Sequence, residues 1–327
     1  MEKLESRRAF LLKGVGLLGL GAGGALLGER AVNSRAVRDL LSSEQPGQGE
    51  EQELEVSDGD YERAVESLSP SVFSIEGRDG GHGSGFIAAP GYLLTNFHVT
   101  QDNHRTLEMR QQPHILPLPF PLALDPNLLI NIQAVNDPNF IATTFTSDDR
   151  RPGRSFRVAP VVLSTGARAN HKDMSLLRLP PDAELSEGAS PVQFGVPRMG
   201  ARVVILGMPH DSTGHVTHGR VSRTVRFSNS DNPQWIGVPF VSVDGGINPG
   251  NSGGPIFQLR KVRDRDGQVR LIKELIGMST YTYRGSQGLG GGIRSDYIRY
   301  IAKTRWGMPL MTNEEVAQYR RDFPTAE

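Results

Sequence analysis

From Ser71 onward the chain is a succession of short hydrophobic segments, rich in β-branched and aromatic residues and separated by glycine. Segments of this kind predict strands, and many short strands with turn signals between them predict a sandwich or a barrel. The predicted strands are 71–75, 85–88, 92–95, 203–206, 216–225, 256–259 and 271–278. The hydrophobic pattern therefore favours an all-β domain.

Helical signals lie on both sides of this β-rich region. A short helix is predicted to begin near Asp60 and to end before the proline at position 70. After the last strand, Ser295 can cap a helix that stops near Gly307. Thr312 and Glu315 then form a capping-box pattern, which predicts one more helix before the end of the chain.

The first 36 residues are typical of an export signal or an anchor. Arg7 and Arg8 precede an uncharged run, 14–28, that contains seven glycines and five leucines. An arginine pair before a weakly apolar, glycine-rich run resembles a twin-arginine export signal. An ordinary buried helix would not hold so many glycines, and the run is shorter than the roughly 20 residues of a membrane span. Cleavage after Ala36 and retention as an anchor both stay open.

An acidic segment follows. Residues 41–62 carry eight acidic side chains and no basic one, with a proline and three glycines among them. This composition predicts a flexible, solvated linker over 37–60. A specific acidic docking site is the alternative interpretation.

The overall composition excludes several classes of site. The 36 Lys and Arg residues balance 36 Asp and Glu residues, which argues against a nucleic-acid binder that relies on a strongly basic face. The chain has no cysteine, so disulfides, thiolate catalysis and cysteine-based metal centres are excluded. Hydrophobic residues make up 37% of the chain, which is enough for a sizeable core.

Three segments carry residues suited to nucleophilic catalysis. The glycine-rich stretch 244–255 contains Ser252, and the backbone N–H groups of Gly250 and Ser252 can converge on one point, as in an oxyanion hole. His98 ends an apolar, strand-like run, and Asp173 immediately precedes another. Each segment alone also has an ordinary interpretation, namely a glycine-rich turn, a packed core histidine and a turn residue.

Together these residues stand in the order His98, Asp173, Ser252, which is the chain order of the chymotrypsin-type triad. Over roughly 71–300 the chain resembles the HtrA-type (Deg-type) serine proteases. The resemblance rests on the motifs Gly83-Ser-Gly-Phe-Ile, Leu94-Thr-Asn-Phe-His98-Val, Asp173-Met-Ser-Leu-Leu-Arg-Leu and Ile247-Asn-Pro-Gly-Asn-Ser252-Gly-Gly-Pro.

The resemblance implies a chymotrypsin-like double six-stranded β-barrel with C-terminal helices, formed by a peptidase domain over 61–307 and a helical tail over 308–327. It also implies a serine endopeptidase that needs no cofactor, with Ser252 as nucleophile, His98 as general base, Asp173 orienting the histidine, and the oxyanion hole described above. Asn251 stands where digestive relatives have an aspartate, so zymogen activation through a new N-terminus is not expected.

By family position, the primary specificity pocket is expected beside Gly246, Ile247, Met278, Ser279 and Thr280. No carboxylate stands at the pocket-base position, Gly246. A preference for small to medium apolar side chains is therefore expected, rather than one for Arg or Lys.

The sequence departs from the family in two places. Too few residues follow Gly307 for a PDZ domain, so none is expected. An apparent insertion at about 104–170 includes a proline-rich apolar run, 114–124. This run is either a packed surface loop or a lid or docking loop beside the catalytic histidine.

Three histidines, His210, His215 and His218, form a rival candidate site for zinc. Positions 215 and 218 would point to opposite faces of a regular strand, which argues against joint coordination. No metal is therefore expected.

Two classes of function stay open. The favoured one is an exported endopeptidase, in the bacterial periplasm or secreted, that acts on misfolded or accessible proteins. The alternative is a latent or silent binding protein that keeps the peptidase fold. Expected partners are protein or peptide substrates and no nucleic acid, with membrane association through the N-terminal segment and a homo-oligomer left open.

Overall fold

The computed structural model describes residues 52–77, 81–100, 131–134, 140–145, 153–164, 172–208, 214–227, 235–282 and 288–324. The export signal predicted over 1–36 and the proline-rich run 114–124 lie outside them. Within the described residues, no helix is long and apolar enough to span a membrane.

The first barrel is an antiparallel sheet that closes on itself. Its strand order is β7-β6-β2-β3-β4-β8, a further pairing of β7 with β8 completes the ring, and β5 extends β7 at one edge. Apolar side chains that alternate along these strands fill the interior, among them Phe73, Ile87, Leu93 and Leu177. The strands are β2 (Val72–Gly77), β3 (His82–Ala89), β4 (Tyr92–Thr95), β5 (Asn131–Ala134), β6 (Phe140–Thr144), β7 (Ser155–Ser164) and β8 (Ser175–Arg178).

The second barrel is built in the same way. Its order is β12-β13-β14-β11-β10-β9, and the pairing of β9 with β12 closes it. Val203, Ile205, Val241 and Ile256 belong to its interior cluster. The strands are β9 (Arg202–Gly207), β10 (His215–Phe227), β11 (Pro239–Val243), β12 (Pro255–Arg263), β13 (Val269–Thr282) and β14 (Gly290–Arg294). The expected double six-stranded barrel is confirmed.

The structure corrects the insertion expected at 104–170. Strands β6 and β7 fall inside that range, yet they pair with β2 and β8 and supply two of the six strands of the first barrel. Phe140 and Val158 are buried in its core. Strands β6 and β7 therefore belong to the barrel itself rather than to an insertion in it.

The structure also corrects the linker expected over 37–60. Residues Gln52–Leu54 form a strand, β1, that pairs with the outer end of β12, and helix α1 begins at Asp58 and ends at Leu68. Tyr61 and Ala64 on this helix are buried in the core. This acidic segment is ordered because the apolar face of α1 packs against the core.

Two helices follow the second barrel at the predicted positions, but Ser295 does not cap the first one. Arg294 takes the N-cap position, and the Ser295 hydroxyl donates to the Gly195 carbonyl. Helix α2 (Ser295–Trp306) ends at Gly307, whose φ of 67° is left-handed, as is common after a helix. Helix α3 (Asn313–Asp322) is capped by Thr312, whose side chain accepts a hydrogen bond from the Glu315 backbone N–H. The helices pack through tyrosines, with the Tyr300 and Tyr319 rings 4.8 Å apart.

Candidate active site

His98 follows strand β4 directly, in a helical turn over 97–100. Its side chain is 39% exposed, whereas its neighbours Phe97 and Val99 are buried. The packing of these neighbours fixes the backbone and leaves the imidazole at the surface. A ring that must meet a substrate needs this kind of placement.

Asp173 lies just before strand β8 and is 1% exposed. Its carboxylate accepts hydrogen bonds from the backbone N–H of His98 at 3.1 Å and from His98 Nδ1 at 2.9 Å. The two residues meet because β4 pairs with β8, with Thr95 opposite Ser175. The pairing that closes the barrel therefore sets this contact.

The backbone around Asp173 is strained. Lys172 and Asp173 have φ values of 47° and 56°. This left-handed conformation is uncommon for residues other than glycine, asparagine and aspartate, so Lys172 is the more unusual of the two. Two hydrogen bonds hold the strained turn, from Asn96 Nδ2 to the Asp173 carbonyl at 3.0 Å and from Lys172 Nζ to the Ile236 carbonyl at 2.8 Å. Burial lowers the pKa of Lys172, and the nearby Arg305 lowers it further.

Asn96 is a positioning residue whose role cannot be read from the sequence alone. It is fully buried and donates both to the Asp173 carbonyl and to Thr280 Oγ1, the latter at 3.1 Å. It thus connects the histidine segment, the aspartate turn and strand β13. The only signal in the sequence is its place in the histidine motif, two residues before His98.

Ser252 lies in a loop between β11 and β12 and is half-buried. Glycine is required at two positions of this loop, since Gly250 and Gly253 have φ values of 93° and 84°. Three backbone N–H groups of the loop are engaged within it or by β13: those of Asn251, Gly253 and Gly254 donate to Asn248, Ser279 and Asn251 carbonyls at 2.8–3.0 Å.

Within 250–254, the two remaining N–H groups are those of Gly250 and Ser252. Neither has an acceptor among the described residues. They are the pair predicted to form an oxyanion hole.

The histidine segment and the serine loop meet at Gly83. A Cβ at this position would collide with the Val99 side chain and would lie 2.8 Å from the Ser252 carbonyl oxygen. Only glycine therefore fits between Val99 and the serine loop. Between the described side chains of Ser252 and His98 the structure contains no hydrogen bond.

The residues expected at the specificity pocket are partly brought together. Gly246 is half-buried, and Ile247 is buried with its side chain packed over Gly290 of β14. Ser279 exchanges backbone hydrogen bonds with Gly253 and Gly254, so β13 lies along the nucleophile loop.

Met278 and Thr280 face elsewhere. The Met278 side chain belongs to the main hydrophobic core, and the Thr280 hydroxyl contacts Asn96 and the Met278 carbonyl.

Tyr281 of β13 lies on the opposite face of β14 from Ile247, because Gly290 and Gly291 are successive residues of one strand. Its phenol ring lies where a side chain at Gly291 of β14 would be, and its hydroxyl is 3.2 Å from Ser242 Oγ. The ring packs edge-on against Phe240 at 5.3 Å. Burial raises the pKa of Tyr281, although Ser242 and nearby arginines partly oppose this.

The histidines considered for zinc are placed differently. His218 stacks on the Tyr61 ring with 4.4 Å between ring centres, and His210 lies outside the described residues. No group of three His, Cys, Asp or Glu side chains in the described parts of the chain is arranged to hold a metal ion.

Comparison with known proteins identifies the family of the chain. The sequence matches the trypsin-like peptidase domain family over residues 83–263, more than half of the chain. Among curated relatives, a probable periplasmic serine endoprotease DegP-like from Pseudomonas fluorescens is 26% identical over 234 residues, 71% of this chain and 33% of the relative. A protein of the same name from Marinomonas sp. is 40% identical over 92 residues, 28% of this chain and 16% of the relative.

Mouse serine protease HTRA4 is 34% identical over 151 residues, 42% of this chain and 27% of the relative. The chain thus spans a third or less of the length of these relatives. Solved structures of similar fold include Deg5, with 22% identity, a TM-score of 0.48 and coverage of 75% of this chain and 93% of that one. A serine endoprotease from Yersinia pestis has 20% identity, a TM-score of 0.46 and coverage of 81% and 69%.

The relatives confirm the resemblance to HtrA-type proteases that the motifs indicate. Together with the match over more than half of its length, they show that the chain belongs to the trypsin-like peptidase domain family.

Proposed function

We propose that this protein is an exported serine endopeptidase that uses His98, Asp173 and Ser252 to hydrolyse peptide bonds. Family membership supports the reaction class. The observation that carries the proposal is the pairing of the buried Asp173 carboxylate with His98 Nδ1, next to a serine loop with two free N–H donors. These are the parts that acyl transfer to a serine needs.

In the proposed reaction, Asp173 holds a proton on His98 Nδ1 and so leaves Nε2 free to act as a base. The Ser252 hydroxyl oxygen attacks the peptide carbonyl while its proton passes to Nε2. The carbonyl oxygen becomes an oxyanion that the N–H groups of Gly250 and Ser252 bind. The C–N bond then breaks, the leaving amine takes the proton from Nε2, and an acyl-enzyme remains. Water hydrolyses this ester by the same steps, with His98 again as base and then as acid.

The hydrogen bond between Ser252 and His98 forms, on this proposal, when substrate occupies the cleft. Catalytic hydrogen bonds are often long or absent in a free enzyme and tighten in the substrate complex. His98 is free to adjust, since its ring is 39% exposed and is held through Nδ1. On this proposal, rotation of the Ser252 or the His98 side chain completes the triad.

The substrates we propose are unfolded or accessible proteins, cleaved after small to medium apolar residues. Ile247, next to Gly246 in the chain, is buried and packs over Gly290, which narrows this side of the site. No carboxylate stands at Gly246 to attract a basic side chain. The relatives named as periplasmic endoproteases and the N-terminal arginine pair support a location outside the cytoplasm, in protein quality control or processing.

The test is cleavage of unfolded casein and of a peptide library by the purified full-length protein, with Ser252→Ala as the control. We expect the wild-type protein to cleave both, with small or medium apolar residues before the cleaved bond, and the control to cleave neither. A preference for Arg or Lys would contradict the proposed pocket. Absence of cleavage by a folded wild-type protein would favour a binding protein on the peptidase fold.

A further inference from the structure

Ser84, on strand β3, makes an unusual set of contacts with the nucleophile loop. It is fully buried, and its backbone N–H donates to the Ser252 carbonyl at 2.7 Å. Its hydroxyl donates to the Gly250 carbonyl at 2.7 Å and accepts from the Met208 N–H at 2.9 Å. One residue of the first barrel thus contacts the loop of the second barrel at two points.

These two points have a specific relation to the free donors. Gly250 and Ser252 are the residues whose N–H groups lack an acceptor among the described residues, and the carbonyls of the same two residues are bound by Ser84. The carbonyl of a residue lies in the peptide plane that follows it, so Ser84 fixes the 250–251 and 252–253 planes. The Ser252 N–H lies between these two planes, and the Gly250 N–H lies in the plane just before the first. Ser84 therefore holds both donors of the oxyanion hole from behind.

The direction of the Ser84 hydroxyl is also fixed. The Met208 N–H points at the hydroxyl oxygen, so the hydroxyl proton is left to point at the Gly250 carbonyl. Gly250 is the residue that most needs such a bond, because a glycine with a φ of 93° can reach many other conformations.

We propose that Ser84 is a positioning residue for the oxyanion hole. Its hydroxyl holds the Gly250 carbonyl and so preorganises the hole. This rests on the proposed peptidase function. The Ser84 hydroxyl makes no hydrogen bond to His98 or Asp173, so its loss affects stabilisation of the oxyanion and leaves the acid–base pair intact. Loss of a whole oxyanion donor typically costs a hundredfold or more in rate, and a displaced donor costs less.

The test compares Ser84→Ala with Ser71→Ala in the full-length protein. Ser71 is a matched control, since it is also buried in the first barrel, and its hydroxyl accepts one backbone N–H, that of Ser190, at 3.0 Å. For Ser84→Ala we expect kcat on a peptide to fall roughly 10- to 100-fold with KM changed less than about twofold. Affinity for a peptide aldehyde, whose adduct carries the oxyanion, should fall by the same factor. The pH midpoint of kcat should not move. For Ser71→Ala we expect no change in kcat or KM.

An unchanged kcat in folded Ser84→Ala would overturn the proposal. A lower kcat with wild-type affinity for the peptide aldehyde would also overturn it. If Ser84→Ala does not fold, Ser84→Cys replaces it, because a thiol has similar size and is only a weak donor. A wild-type kcat in that variant would overturn the proposal equally. Failure of the proposed function is distinct, since the wild-type protein would then show no more turnover than Ser252→Ala.

Discussion

Asp60 is the buried charge that joins the N-terminal helix to the second barrel. It is 1% exposed, and its carboxylate accepts from the Ser57 N–H and hydroxyl, each at 2.7 Å, and from Lys261 Nζ at 3.1 Å. Arg63 also pairs with it. Burial by itself would raise the pKa of Asp60, but these hydrogen bonds and the Lys261 charge hold it well below its usual value. We therefore predict that Asp60→Asn destabilises the fold.

The expected loss follows from these contacts. Breaking a buried ion pair costs about 3–5 kcal/mol, and a single charge-assisted hydrogen bond contributes about 1.5–3 kcal/mol. Because the Arg63 and Lys261 side chains are 64% and 24% exposed, water partly replaces the lost carboxylate for both. We expect a decrease in the free energy of unfolding of about 2–3 kcal/mol at pH 7.

The assay is urea unfolding followed by tryptophan fluorescence, in a Ser252→Ala background that prevents self-cleavage. Asp58→Asn is the control, since Asp58 is in the same first turn of α1 but exposed, and it should cost less than about 1 kcal/mol. A carboxyl whose pKa is lowered by folding stabilises above its unfolded pKa, near 4, and loses this contribution as the pH falls. The difference between wild type and Asp60→Asn should therefore be full at pH 7 and shrink below pH 4. Equal losses for the two variants, or a pH-independent difference, would refute the reasoning.

Three further predictions concern the site. Asp173→Asn should lower kcat roughly 10³- to 10⁴-fold with KM nearly unchanged, because the imidazole loses its orienting partner; steady-state kinetics on a peptide would check this, and a fall below tenfold would contradict it. Gly253→Ala should unfold the protein or lower its melting temperature sharply, since the new methyl group would overlap the Ser84 carbonyl, whereas Gly267→Ala, also left-handed but in open space, should cost about 1 kcal/mol. Similar melting temperatures for the two variants would oppose that reading. Tyr281→Ala should lower the melting temperature, because the ring packs against Phe240, but should leave the residue preference before the cleaved bond unchanged on a peptide library. A changed preference would oppose this placement of Tyr281.

Much of the fold could be predicted because local signals and the family motifs agree. The hydrophobic pattern predicts strand β4 at its observed bounds and predicts segments that lie inside β9 and β12. A glycine or a proline marks one end of each of these hydrophobic runs. Strand β1 and the order of residues 52–60 were not predicted, because pairing with β12 supplies the stability that an acidic segment lacks alone.

Strands β6 and β7 were misread as an insertion for a similar reason. Their positions in the ring depend on partners far away in sequence, β2 and β8, which no local pattern reveals.

The candidate site, like the fold, can be predicted from the sequence only in part. The motifs single out His98, Asp173 and Ser252, and the pairing of β4 with β8 brings the first two into contact. The roles of Ser84 and Asn96 depend on hydrogen bonds across 166 and 77 residues of sequence, so a pattern of neighbours cannot show them.

The most direct test of the account is covalent labelling of Ser252 by a fluorophosphonate probe. The full-length wild-type protein, Ser252→Ala and His98→Ala would be compared at equal folded concentration. We expect rapid labelling of wild type, none of Ser252→Ala, and labelling of His98→Ala slowed by orders of magnitude, because only a serine activated by its histidine reacts quickly. Equal labelling of wild type and His98→Ala, or no labelling of the folded wild-type protein, would contradict the assignment of this site as a serine peptidase centre.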